Sequence, residues 1–198
     1  NLNQPLYSLG ITGVFTKDLD IALLNNEIDI AVHSLKDVPT ILPQNIEVSA
    51  VLERDFPQDV LVRKSSSKNK DLSELKIATS SLRRRAFWSE KFPNTQFSDI
   101  RGNVQTRLKK LEEGDFDATL FSLAGIKRME MELEYEMLDF MISAPSQGVV
   151  AISSRVDDVE TKAILQKINH KTTQICVEIE RNFLRTLEGG CTAPIGAI

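Results

Sequence analysis

Charged and hydroxyl side chains follow an apolar stretch near the start of the chain, in an order that could support proton transfer. Residues 28–32 are followed by His33-Ser34-Leu35-Lys36-Asp37 and then by Val38-Pro39. An aspartate beside a lysine can stay ionised and stabilise a developing cation, or it can exchange a proton with a substrate nitrogen. The same pattern also fits a turn with a surface ion pair, because paired charges are often structural.

Basic residues follow three further strand-like stretches, at 76–79, 96–100 and 117–122. These basic residues are Arg83, Arg84, Arg101, Arg107 and Arg128. Ser81 and Gly102 lie in the same segments. Helix N-termini and arginine forks both bind carboxylates, and glycine permits close approach of the backbone. Each stretch alone could be a solvated basic helix start. Three strand-like stretches that are each followed by basic residues favour a pocket for a small polycarboxylate.

The two cysteines, Cys176 and Cys191, provide neither a disulfide framework nor a zinc ligand set. Cys176 lies within a helical apolar pattern and is predicted to be buried, whereas Cys191 follows Gly189-Gly190 in a loop. With only two histidines in the chain, we expect no metal site. No glycine-rich nucleotide-binding motif occurs, so nucleotide binding has no support.

The composition is that of a soluble globular protein. The chain has 198 residues, of which 41% are hydrophobic and 26% charged, and its net charge is −4. No apolar run approaches the roughly 20 residues of a membrane span, and no signal segment opens the chain. We therefore expect a cytoplasmic protein with a small-molecule substrate and with neither nucleic-acid nor membrane partners.

Strands and helices alternate along the chain, which predicts an α/β fold with parallel sheets covered by helices. Two such blocks, before and after residue 55, indicate two domains with a cleft between them. Ligands of open α/β sheets bind beyond the carboxyl ends of the strands, where the residues above are found.

Six sequence blocks resemble the porphobilinogen deaminase family, in the family's order and over nearly the whole chain. The segment His33-Ser34-Leu35-Lys36-Asp37-Val38-Pro39 resembles the signature loop. The other blocks are Thr79-Ser80-Ser81-Leu82-Arg83-Arg84, residues 100–108, Ala124-Gly125-Ile126-Lys127-Arg128, Ala144-Pro145-Ser146-Gln147-Gly148, and residues 187–196 around Cys191.

This resemblance implies a transferase of porphyrin, tetrapyrrole and heme biosynthesis that joins four porphobilinogen molecules into the linear tetrapyrrole hydroxymethylbilane, releasing ammonia each time. A dipyrromethane cofactor bound to Cys191 would prime the chain. Asp37 would be catalytic, assisting deamination and stabilising the cation that forms. The implied cofactor and substrate contacts are Ser34, Lys36, Ser81, Arg83, Arg84, Arg101, Gly102, Arg107, Arg128, Gln147 and Arg155.

The family fold implies two lobes like those of type-two periplasmic binding proteins and a small α+β third domain. We expect a discontinuous domain 1 at 1–52 and 148–168, domain 2 at 56–143, and the start of domain 3 at 170–198. The family's first strand is missing here, and the chain ends seven residues after Cys191. This piece alone is therefore expected to have little activity, and the parent enzyme is expected to be a monomer. The alternatives are a non-catalytic two-lobed polycarboxylate-binding module and an inactive truncated form.

Overall fold

The computed structural model describes residues 16–187 and 194–198, which fall into two compact units. Unit 1 consists mainly of Gln58–Ser143. Unit 2 combines residues 16–57 with residues 144–187, so the chain leaves this unit and later returns to it. Helices and sheets occur in both units, which confirms the α/β class. The division into three domains remains a prediction.

The helices of the described residues follow the sequence pattern closely. They are α1 (Lys17–Leu24), α2 (Leu82–Lys91), α3 (Val104–Glu113), α4 (Leu123–Arg128), α5 (Val159–Leu165) and α6 (Lys171–Thr186). Side chains cap several of these helices, as short polar residues at N-caps do. The Asn103 oxygen accepts from Thr106 N at 2.8 Å, and Ser81 Oγ accepts from Arg84 N at 3.4 Å. No helix in this part of the chain has the length and apolarity needed to cross a membrane.

The strands form one sheet in each unit. They are β1 (Ala31–Ser34), β2 (Ile46–Val51), β3 (Asp59–Arg63), β4 (Ile77–Ala78), β5 (Phe97–Ser98), β6 (Ala118–Ser122), β7 (Glu136–Met137) and β8 (Val150–Arg155). The sheet of unit 2 has the order β1-β8-β2, and the sheet of unit 1 has the order β5-β4-β6-β3-β7.

The prediction of parallel sheets is only partly correct. In unit 1, β4 pairs parallel with both β5 and β6, but β3 runs antiparallel to β6 and β7. In unit 2, β1 and β2 both pair antiparallel with β8. The cause is the chain path, because β8 enters unit 2 only after the excursion through unit 1. It then lies between β1 and β2, which run parallel to each other and opposite to β8.

The core of unit 1 lies on both faces of its sheet. On one face, Trp88 is fully buried against Leu61, Ile77 and Leu120, and its ring contacts Phe140 edge-on at 5.7 Å between centroids. Helices α3 and α4 cover the other face through a second apolar cluster that includes Leu111 and Ile126. Both sides of the sheet are thus held, which fixes the strand ends from which the site residues project.

The carboxylate of Asp117 ties the starts of β4 and β6 together. It accepts hydrogen bonds from Ser67 Oγ (2.6 Å), Lys70 Nζ (2.7 Å) and Lys76 N (2.9 Å). Burial alone raises the pKa of Asp117, but these hydrogen bonds and the Lys70 charge outweigh it and lower the pKa to about 2. The ionised carboxylate therefore stabilises the folded state.

We predict that Asp117→Asn destabilises the protein by about 2 kcal/mol at pH 7, the scale of lost charge-assisted hydrogen bonds. A carboxyl whose folded pKa is depressed contributes stability above its unfolded pKa, near 3.9, and loses it as the pH falls towards about 2. Urea unfolding should thus show a difference from wild type that shrinks through this range. Asp115→Asn, at an exposed neighbouring carboxylate paired with Lys76, is the control and should be near neutral. Equal effects of the two substitutions would contradict this account.

Candidate functional site

The predicted basic residues of unit 1 follow its parallel strands, and their positions agree with the strand-end expectation. Ser80 Oγ bonds both Ile100 O (3.0 Å) and Ile100 N (3.1 Å), which joins the ends of β4 and β5. The N-terminal turn of α2 therefore starts beside the loop that carries Arg101. Gly102 has φ +119°, and a Cβ there would lie 2.6 Å from Thr106 Cγ2, so this turn requires glycine.

Arg83 and Arg84, both predicted to bind anions, are paired with a carboxylate that was not among the predicted site residues. Asp59, the first residue of β3, is fully buried. Arg84 donates to its Oδ1 through Nε (3.1 Å) and Nη2 (2.8 Å), while Arg83 Nη1 lies 2.7 Å from Oδ2. Burial acts to raise the pKa of Asp59, but the charges and hydrogen bonds of the two arginines hold it far below its usual range.

Arg107 lies beside Arg84 and pairs with no carboxylate among residues 16–187 and 194–198. Its Nη2 donates to Thr119 Oγ1 (3.0 Å) and to Leu120 O (2.6 Å), the carbonyl that Arg84 Nη1 also contacts at 2.9 Å. Its guanidinium stacks 4.3 Å from the Phe121 ring centroid. Burial and the nearby Arg84 charge lower the pKa of Arg107 to about 9. Asp59 thus pairs with two guanidiniums, and the third, that of Arg107, lies beside Arg84 at the shared Leu120 carbonyl.

Two buried donors in this region have no hydrogen-bond partner among the described residues. They are Arg107 Nε and Arg101 Nη2. A buried N–H without an acceptor is costly, and an anion within hydrogen-bond distance would relieve this cost. The remaining predicted cation of unit 1, Arg128, is exposed at the C-terminal end of α4, where it complements the helix dipole.

Four predicted residues of unit 2, namely Ser34, Lys36, Asp37 and Gln147, lie in or beside a 3-10 turn after β1. Ser34 ends the strand, and Leu35–Asp37 form the turn, with Asp37 half-buried at its end. Lys36 Nζ donates to Gln147 Oε1 at 3.2 Å, and Gln147 is almost fully buried. The structure thus brings three predicted site residues together: Lys36, the adjacent Asp37 and Gln147.

Arg155, also predicted to bind the cofactor, has several internal partners. Its Nη1 donates to Leu23 O (3.1 Å) and Ile28 O (2.7 Å), and its Nη2 donates to Asp29 and Asp158, both at 2.9 Å. The hydrogen bond to Asp29, followed by the charges of both carboxylates, raises the pKa of Arg155. A role towards a ligand would require exchange of one of these contacts, and it remains a prediction.

The two cysteines differ in what the structure says of them. Cys176 is exposed on α6, so the prediction of a buried thiol is wrong. The apolar pattern of this helix has more members than its buried face can hold, because Ile175 and Ile179 are exposed as well. Cys191, the predicted cofactor attachment point, lies outside the described residues.

These features define an α/β protein whose first unit holds buried arginines, two of which have donors without an acceptor in the described part of the chain. The family described as "Porphobilinogen deaminase, dipyromethane cofactor binding domain" matches residues 1–163, and "Porphobilinogen deaminase, C-terminal domain" matches residues 174–198. The chain belongs to the porphobilinogen deaminase family.

Curated relatives agree with this assignment. The "Probable porphobilinogen deaminase" of Methanocaldococcus jannaschii is 51% identical, over 100% of this chain and 68% of that protein. The porphobilinogen deaminases of Chlorobium luteolum and Chloroherpeton thalassium are each 44% identical, over 99% of this chain and 64% of each protein. The chain therefore spans about two thirds of the length of these relatives.

Similarity to solved structures is much weaker. The BvgS VFT2 domain of Bordetella pertussis is 13% identical with a TM-score of 0.46, over 82% of this chain and 72% of that chain. An amino acid ABC transporter substrate-binding protein from Streptococcus pneumoniae is 16% identical with a TM-score of 0.45, over 82% and 71%. The α/β class rests on the sheets and helices described above, and these two likenesses add no argument.

We predict that Asp59→Asn destabilises the protein by about 3–5 kcal/mol, because it leaves Arg83 and Arg84 buried without a counter-charge. Asp99→Asn is the matched control, since Asp99 pairs with Arg85 of the same helix but at the surface, and it should cost under about 1 kcal/mol. Chemical denaturation of both variants measures the difference. A loss for Asp59→Asn no larger than the control's would show that the carboxylate does not hold the cluster.

Proposed function

We propose that the full-length protein containing this chain joins four porphobilinogen molecules head to tail, with loss of ammonia at each addition, to give hydroxymethylbilane. Membership of the porphobilinogen deaminase family supports this proposal. The observation in the structure that carries it concerns the arginines of unit 1. Asp59 pairs with Arg83 and Arg84, while Arg101 Nη2 and Arg107 Nε are buried with no acceptor among the described residues.

The cofactor of the proposed reaction is a dipyrromethane joined by a thioether to Cys191. When bound, it supplies the pyrrole terminus to which each new unit is added. The residues of unit 1 suit its acidic side chains, because the unpartnered guanidinium donors need an anionic acceptor. In the proposal, Arg83, Arg84, Arg101 and Arg107 neutralise these carboxylates, with Ser81 and the Gly102 turn beside them.

The growing product sets the demand for further cations. Each added pyrrole unit brings two carboxylates, so a chain of several units carries many negative charges. We assign Arg128 and Arg155 to these groups, and we assign Ser34, Lys36 and Gln147 to polar contacts around the reacting end. The Lys36–Gln147 hydrogen bond is consistent with this grouping.

Asp37 is the proposed catalytic residue. Positive charge develops on the substrate when ammonia leaves, and a fixed carboxylate lowers the energy of that state. The turn holds Asp37 half-buried, where its charge is screened less than in water. His33 lies in the same field: burial lowers its pKa, while the charges of Asp20 and Asp37 act to raise it.

The proposal extends to the setting of the enzyme. We infer a cytoplasmic monomer of tetrapyrrole and heme biosynthesis that acts on a small molecule and needs neither nucleic acid nor a membrane. We also infer three domains with the boundaries given above, of which the third begins near residue 170. The C-terminal family match over residues 174–198 supports that boundary.

We predict that Asp37→Asn in the full-length protein lowers kcat by about 10²–10⁴-fold, the usual contribution of a positioned acid or base, while KM changes little. Asp18→Asn, an exposed aspartate of α1 in the same unit, should leave both constants unchanged. Steady-state release of ammonia from porphobilinogen measures this. An Asp37→Asn enzyme with the wild-type rate would remove Asp37 from the reaction, and a wild-type protein that binds porphobilinogen without turnover would favour the binding module.

A further inference from the structure

Two adjacent residues of α6, Glu180 and Arg181, contact both segments that carry the proposed catalytic residues. Neither belongs to the sequence blocks that mark the site, and both lie in the part of the chain matched to the C-terminal domain of the family. Their contacts reach back into the part matched to the cofactor-binding domain. All of these residues are in unit 2.

Arg181 holds the 3-10 turn that ends in Asp37. Its Nη1 donates to Val38 O (3.0 Å) and Leu35 O (3.4 Å), and its Nη2 donates to Pro39 O. These carbonyls lie on either side of Asp37, at the end of the turn where a cation is favoured. The guanidinium fork thus fixes the backbone before and after the proposed catalytic carboxylate, which a single ammonium group cannot do.

Glu180 holds the second segment, the turn that carries Gln147. Its side chain is 7% exposed. One carboxylate oxygen accepts from Ser146 N at 2.6 Å and the other accepts from Arg54 Nη2 at 2.6 Å. Ser146 has φ +67°, a conformation that residues with a Cβ rarely adopt, so a charge-assisted hydrogen bond to its amide helps to keep it there.

The segment held by Arg181 and the segment held by Glu180 are joined by the Lys36–Gln147 hydrogen bond. Gln147 Nε2 donates to Pro57 O while its Oε1 accepts from Lys36 Nζ, so the position of the turn determines where Lys36 lies. The next glycine leaves little freedom for adjustment: a Cβ on Gly148 (φ +85°) would lie 2.9 Å from Asp55 O. Val177 of α6 packs in the same apolar cluster as Leu35, Val38 and Val149.

We propose that Glu180 and Arg181 are positioning residues for the reaction: together they fix the relative placement of Asp37, Lys36 and Gln147 from one turn of α6. The expected fall in kcat rests on the proposed function, whereas the expected effect on the order of the turn does not. It makes α6 part of the catalytic apparatus without contact between these two side chains and the substrate.

The structural test is amide hydrogen exchange in the full-length protein. Arg181→Gln should speed exchange of the Leu35 and Val38 amides, which donate to Val149 O and Leu35 O, by about tenfold or more. Strand β2 should keep its protection. The matched controls are Glu178→Gln and Lys171→Gln, both exposed on the same helix, which should leave residues 35–38 unchanged.

The kinetic test separates positioning from general stability. Arg181→Gln and Glu180→Gln should each lower kcat by about 10–100-fold, as small misplacements of reacting groups do, with KM within about threefold. Arg181→Lys keeps the charge but not the planar guanidinium, so its kcat and its amide exchange at residues 35–38 should both be intermediate. If Arg181→Gln fails to fold, Arg181→Lys tests the positioning role instead.

The possible failures are distinguishable. A lower Tm with wild-type kcat and wild-type protection of residues 35–38 in Arg181→Lys and Glu180→Gln would overturn the positioning role. A wild-type protein without turnover would instead refute the proposed function, and the exchange measurement would still decide whether α6 fixes the turn.

Discussion

The buried pairing of Asp59 with Arg83 and Arg84 is the interaction on which the rest of unit 1 depends. Removal of a charge from water is costly unless a partner is close, so the two arginines at the start of α2 can be buried only because β3 begins with a carboxylate. Arg107 adds a third guanidinium, whose hydrogen bonds in the described part of the chain go to Thr119 Oγ1 and Leu120 O rather than to a second carboxylate. This arrangement supports the proposed role of these arginines in binding carboxylates.

Unit 2 differs from unit 1 because its proposed catalytic group is a single carboxylate rather than a group of guanidiniums. A short 3-10 turn carries Asp37, and such a turn has few hydrogen bonds of its own. Its order comes from outside: from Val149 O on the neighbouring segment and from Arg181 on α6. In the proposed reaction, unit 1 provides the cations that bind carboxylates, and unit 2 provides the catalytic carboxylate.

The sequence was sufficient to predict most of the helices and strands, because strand ends and helix starts are local features, whereas the roles of the site residues remain predictions. The start of α2 after Ser81 and the turn at Gly102 follow from capping and backbone sterics. The partners of the arginines were not predictable in this way, since Asp59 is 24 or 25 residues distant along the chain. Glu180 did leave a signal: it shares the buried face of α6 with Val177 and Leu184, and a carboxylate on such a face implies a cation nearby.

The central claim is that the protein carries a dipyrromethane on Cys191, and the intact mass of the purified full-length protein tests it most directly. The account predicts that wild type and Cys176→Ser, which alters the exposed cysteine of α6, both carry the added mass of a dipyrromethane, and that Cys191→Ser does not. An unmodified Cys191 in folded wild-type protein incubated with porphobilinogen, or an adduct that survives Cys191→Ser, would contradict it.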